Sequence, residues 1–146
     1  MIHNRKQNKN GEQGASLLEF AIAATVFLTV LFATVEFGRA LYVHNALTDA
    51  ARRGARYAVL HKANEIEDVK KVVVYGDTTA TTPILENLTT DNVDVVYNGF
   101  NLDQGTATVS IKNYEFQMIL PLVVSTIQMP KYSTTLTGEC VGLIPE

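Results

Sequence analysis

The sequence predicts an α+β chain in which a long N-terminal membrane-spanning helix is followed by a small antiparallel β-sheet domain. Three observations predict it. Residues 15–35 are an apolar run of 21 residues without Pro or Gly. Residues 36–62 keep small or apolar side chains at helical spacing. Beyond residue 92 the apolar period shortens to two, the period of strands.

Charge divides the 146 residues in the same way. Residues 1–14 carry Arg5, Lys6 and Lys9 against Glu12, a net of +2. Residues 15–35 hold one charge, Glu19. The remaining 111 residues hold 9 basic and 13 acidic side chains, a net of −4. The chain therefore reads as a short basic head, an apolar rod and a mildly acidic domain.

A helix over residues 15–35 would rise roughly 31 Å, near the hydrocarbon thickness of a bilayer. The alternative of a buried helix in a soluble protein fails on size, because so short a chain cannot surround it. An ordinary cleaved signal has a shorter apolar core and a small-x-small site. Here the run leads instead into Glu36-Phe37-Gly38-Arg39-Ala40. Basic residues flank the span on both sides, with Arg39, Arg52, Arg53 and Arg56 after it, so charge alone does not fix its orientation.

Residues 36–62 contain good helix formers and no Pro, so one helix is expected over 15–62, roughly 72 Å long. Ala40, Val43, Leu47, Ala50, Gly54 and Tyr57 recur at spacings of 3, 4, 3, 4 and 3, an a/d-like packing face. Part of that face is expected to dock on the chain's own sheet. Asp49 can pair with Arg52 or Arg53. The cluster Arg52, Arg53 and Arg56 could bind phosphate or lipid headgroups, but fits better as a solvated or intersubunit salt-bridge face. His44 and His61 lack metal-ligand spacing and read as surface or interface residues.

In residues 63–146 the pattern predicts a short helix that ends at Gly76 and a loop over 77–92. It then predicts strands over 93–97 and 106–114, joined through Asn98-Gly99 and a loop to Gly105. Ala107, Val109 and Ile111 would share one face of the second strand. Residues 116–130 are apolar but broken by Pro121 and Pro130, which argues against a second span. A last strand over 132–141 would put Tyr132, Thr134, Leu136, Gly138 and Cys140 on one side, giving three or four antiparallel strands.

Several functions lack a chemical basis in these residues. No domain is basic, which leaves nucleic-acid binding unsupported. The single cysteine excludes an intrachain disulfide and any CxxC motif. Asp91, Asp94 and Asp103 are too sparse for a calcium loop, and no Gly-rich phosphate loop or nucleophile elbow is present. No metal, cofactor or catalytic residue is expected.

Glu19 needs a reason to sit in an apolar segment. Gly14 lies five residues before it, behind basic residues. Cutting after Gly14 would make Ala15 the first residue and Glu19 the fifth, and would create an amine at the membrane surface. Glu19 could pair with such an amine on its own or a neighbouring chain. The pair would fix the axial offset of adjacent helices, as polar core groups fix register.

This pattern, Gln13-Gly14-Ala15-Ser16-Leu17-Leu18-Glu19-Phe20, resembles the type IV prepilin class. It departs at Ala15, where many pilins have Phe, and the departure bears on N-methylation. With Glu36-Phe37-Gly38-Arg39, the run from Asn45 through Arg52-Arg53-Gly54-Ala55-Arg56-Tyr57-Ala58, and Val72-Val73-Val74-Tyr75-Gly76, it is similar to the TadE-like family, minor pseudopilins of Tad (Flp) pilus systems. Major Flp pilins are usually shorter and lack a comparable second domain.

The resemblance implies a pilin-like fold and a prepilin peptidase that cuts between Gly14 and Ala15. It makes residues 1–14 a leader, 15–35 the membrane half of the helix, 36–62 its amphipathic continuation and 63–146 an extracytoplasmic α+β domain. Glu19 would serve register and assembly. The implied partners are other pilins and pseudopilins, Tad assembly platform proteins and membrane lipid, in or on the bacterial cytoplasmic membrane, with surface adhesion as the outcome. The alternative is an uncleaved, bitopic, membrane-anchored module that binds a partner in the envelope.

Overall fold

The computed structural model describes residues 9–61, 65–99, 105–119 and 125–138, with side chains from Gly14 onward. Its fold is α+β, a long apolar helix followed by a small antiparallel sheet region. The first helix, α1, spans Lys9–Leu60, 52 residues. It begins before the expected residue 15 because residues 9–14 contain no Pro and continue the helix without a break. It ends two residues short of 62. There the His61 ring nitrogen Nδ1 donates to the Tyr57 carbonyl at 3.0 Å, satisfying a last-turn acceptor. The two rings stack at 3.7 Å between centroids.

The chain divides into two compact units, Met1–Gly38 and Arg39–Glu146. In the second, α1 buries Val43, Leu47, Ala50, Ala51, Ala55, Ala58 and Val59. Most of these side chains are single methyls. A helix face that thin lets the opposing side chains come close to the backbone, and Gly54 is in direct contact with Val73 and Val109.

A second helix, α2, covers Ile66–Tyr75 and buries Val69, Val72, Val73 and Val74. It stops at Gly76, whose φ of 86° is left-handed and whose N–H bonds to the Val72 carbonyl. The stretch 77–92 is mostly loop, as its composition implies, but Thr90–Asn92 forms a single 3-10 turn. Asn92 braces it. Its Oδ1 accepts from the Thr89 N–H and hydroxyl, both at 2.9 Å, and its Nδ2 donates to the Lys112 and Asn113 carbonyls, both at 3.1 Å.

The strands are β1 (Val93–Asn98), β2 (Thr106–Ile111), β3 (Glu115–Gln117), β4 (Thr126–Gln128) and β5 (Tyr132–Thr137). Antiparallel pairing gives a three-stranded sheet of order β1-β2-β5, with Val95 opposite Val109 and Val109 opposite Thr134. The central strand buries Ala107, Val109 and Ile111, the face predicted from alternation. Helix α2 packs against β1.

Three expectations need correction. The strand expected over 106–114 ends at Ile111, because Asn113 takes a left-handed φ of 54° that breaks the pleat. Residues 116–130, read without strands, contain most of a second, two-stranded sheet in which Phe116 pairs with Ile127 and is buried. The last strand ends at Thr137 within the described residues, and Cys140 lies outside them.

Candidate functional site

In the first unit, Gly14, Ala15 and Glu19 all lie within α1 and all are exposed. Every residue of 14–35 is exposed except Ala24, which is half-buried. The exposure falls on large apolar side chains, among them Leu17 at 71%, Phe20 at 72% and Phe27 at 64%. The helix is long and apolar enough to cross a membrane, and among the described residues its most apolar stretch is not buried.

The polar groups of that stretch are suited to hydrocarbon. Thr25, Thr29 and Thr34 each donate a hydroxyl to the carbonyl four residues back, all at 2.8 Å. These three hydroxyl protons need no water, which suits a lipid-exposed helix. Glu19 is the one ionisable side chain in the run.

The packing face lies inside the second unit. Val43, Leu47 and Ala50 belong to its core and Ala40 packs against that core half-buried. A Cβ on Gly54 would overlap the Val73 side chain. These residues therefore hold α1 to the chain's own α2 and sheet. His44 extends the attachment, with Nδ1 2.9 Å from the Tyr132 hydroxyl and the rings edge to face. Tyr132 is buried, which pushes its hydroxyl pKa up.

The arginine cluster separates into different roles. Arg53 donates through Nη1 to the Asp49 carboxylate at 3.0 Å, one of the two pairings that spacing allowed. Its Nε is buried without a hydrogen-bond partner. Arg52 and Arg56 are exposed. Arg53 and Arg56 line a groove of about 310 Å³ together with Tyr57, Leu60, Val72 and Asp77. Asp77 takes no part in balancing those arginines by hydrogen bonding. Its Oδ1 accepts from the Thr79 N–H at 3.0 Å and from the Thr79 and Thr78 hydroxyls at 3.2 and 3.3 Å, and these bonds hold its pKa down.

Sequence patterning missed this groove, because it forms where the end of α1 meets the turn after α2, twenty residues later in the chain. It also missed Arg39 over the Phe116 ring, 5.2 Å from the centroid, since Phe116 sits in a strand too short to show alternation. Among the described residues, no three His, Cys, Asp or Glu side chains converge in a way that could hold a metal.

No curated protein and no solved structure matches the chain. A family model does, over the exposed apolar helix and its buried continuation as far as Arg56. Residues 14–56 match the model described as TadE-like protein, and over that stretch the chain is similar to that family.

Proposed function

We propose that the chain is a minor pseudopilin, made as a membrane prepilin and used in assembly of a Tad pilus. Residues 1–14 are its leader, 15–35 its membrane anchor, 36–62 the helix continuation and 63–146 its domain outside the cytoplasm. The observation that carries the reading is the bare apolar helix with Glu19 as its one charge, in a segment that matches the TadE-like model.

A prepilin peptidase cuts between Gly14 and Ala15. Gly14 favours the cut because a helix loses about 1 kcal/mol per glycine relative to alanine, which makes this a place where the backbone opens for a protease. The amine of Ala15 then lies one helical turn from Glu19. Paired with the amine of a neighbouring subunit, Glu19 sets the axial step between helices. Repeated head-to-tail contact that does not close generates a filament. The exposed face of 15–35 exchanges lipid for protein within it. Arg52 and Arg56 are available to acidic groups on other pilins, pseudopilins or platform proteins.

Intact mass and N-terminal sequencing of the membrane-extracted protein, with and without active prepilin peptidase, tests the reading. A start at Ala15 only with active peptidase is the expected result. A Met1 start in both samples would overturn it and leave the uncleaved envelope anchor.

A further inference from the structure

The groove at the end of α1 is bordered by a loop that carries what the groove lacks. Gly76 lines the groove. Ile84 reaches the same glycine, for a Cβ on Gly76 would lie 3.4 Å from its Cδ1, and its N–H donates to the Val74 carbonyl at 2.9 Å. The groove and the loop over 83–86 therefore share one stretch of surface. On the groove side, Tyr57, Leu60 and Val72 form an apolar wall, with Arg56 exposed beside it. On the loop side, Pro83, Ile84 and Glu86 are exposed. Leu85 between them is in the core, and the Tyr114 hydroxyl donates to the Glu86 carbonyl at 2.9 Å, so the loop is held in place from within.

Three acids near the groove are already engaged. Asp49 pairs with Arg53, Asp68 with Lys71, and the Asp77 carboxylate accepts from its own turn. Among the described residues, the Arg56 guanidinium and the Glu86 carboxylate form no ion pair or hydrogen bond. A base beside an apolar hollow and an acid beside an apolar knob, on one surface of one chain, are complementary to themselves under a twofold rotation. Such a contact is made twice, with the same two patches exchanged between the copies. A guanidinium recognises a carboxylate through a planar fork of two N–H donors, which gives the contact direction as well as charge. A volume of about 310 Å³ suits a few side chains, not a domain.

We propose that a second copy of this chain docks on this surface in a twofold contact. Ile84 of each copy enters the groove of the other, against Leu60 and Val72, and the Glu86 carboxylate of each meets the Arg56 guanidinium of the other. Each copy both gives and receives a loop, so the contact closes at two chains. It is thus different in kind from the open-ended packing of a filament, and it is independent of leader cleavage and of pilus assembly. One loop and one groove per copy make a small interface, so the pair is expected to exchange readily.

Covalent capture reads such a contact. Arg56→Lys keeps the charge and supplies an amine, which a carbodiimide joins to a touching carboxylate as an amide. Full-length Arg56→Lys chains, half of them labelled with heavy nitrogen, are mixed in detergent and treated, and the peptide that links positions 56 and 86 is weighed. The expected result is a link with one light and one heavy arm. Ile84→Asp and Leu60→Asp, each added to Arg56→Lys, should lower its yield at least tenfold, because each puts an unpaired carboxylate in the apolar seat. The two variants lie on opposite sides of the contact, so a local folding defect in one does not decide the test. A link whose arms always share one label forms within a chain and would overturn the proposal. So would a yield that neither aspartate variant changes. Absence of the link would overturn it as well and leave the groove to a different partner. Exchanged charges give a second check. A mixture of Arg56→Glu chains with Glu86→Lys chains should again give the 56–86 link, which in that mixture forms only between chains, and its absence there would also overturn the proposal.

Discussion

Gly54 on α1 and Val73 on α2 are in such close contact that a methyl group on residue 54 would overlap the Val73 side chain. Val73 is fully buried, so it has no free space to turn into. Gly54→Ala is therefore expected to destabilise the protein. Overpacking costs about 1–3 kcal/mol, against a gain of about 1 kcal/mol in helix propensity. A thermal melt of the full chain in detergent should show a lower midpoint. Val73→Ala should cost less in the Gly54→Ala background than alone, and additive costs would refute the contact as the cause.

Asn92 is a second point of strain if altered, because one side chain serves two segments. Asn92→Ala removes its acceptor for Thr89 and its donor for the Lys112 and Asn113 carbonyls. A loss of about 1–3 kcal/mol is expected, the range for polar groups deprived of partners. Asn92→Asp keeps the acceptor and loses the donor, so it should fall between the parent and Asn92→Ala. A larger loss for Asp than for Ala would show that the bond to Thr89 contributes nothing.

The link between β1 and β2 carries a pH dependence. The Asp94 carboxylate accepts from Lys112 Nζ at 2.6 Å, and this bond holds its pKa below the usual 3.8. Protonation is thus harder in the folded chain than in the unfolded one. The stabilisation is complete above the ordinary carboxylate value and is lost as pH falls from there through the lowered one. Both side chains are about half exposed, so the effect is small and screened by salt. Melts between pH 6 and pH 2 should show the parent ahead of Asp94→Asn at the upper end, with the lead vanishing below about pH 4. A lead that persists at pH 2 would contradict the pairing.

If the chain is a pseudopilin as proposed, Glu19→Ala separates processing from assembly. The variant is expected to be cut after Gly14 like the parent, because the cut lies five residues away. It should enter pili more than tenfold less often, since removing one partner of a buried ion pair costs about 3–5 kcal/mol. Sheared-pilus yield and N-terminal sequencing of the same cells read the two steps. Parental yield would remove Glu19 from register setting.

The parts of this fold that were readable are those with a long period. A predominantly apolar run of 21 residues and a stripe from Ala40 to Gly54 mark α1, since each further turn repeats the signal. Ala107, Val109 and Ile111 mark β2 in the same way. The pair β3 and β4 left no such trace, because three residues are too few to alternate. The end of β2 depends on the left-handed turn at Asn113, a conformation asparagine tolerates but does not announce. The stripe itself could be seen, but not its partner. The same spacing suits a neighbouring helix or the chain's own sheet, and only the contact with Val73 and Val109 places it. The groove was hidden for a different reason, since its walls come from separate elements and share no local pattern.

The strand order has a consequence for how the molecule is made. The central strand β2 obtains one neighbour from the residues just before it, but the other, β5, is synthesised some twenty residues later. The buried side of α1 cannot be fully covered until residue 137 has emerged from the ribosome. By then the apolar segment 14–35 has long been available to the insertion machinery. On the proposed reading of that segment as a membrane anchor, it is free to enter a bilayer while the domain is still open, so anchoring precedes folding. A late-pairing last strand keeps the domain open until nearly the end of its synthesis.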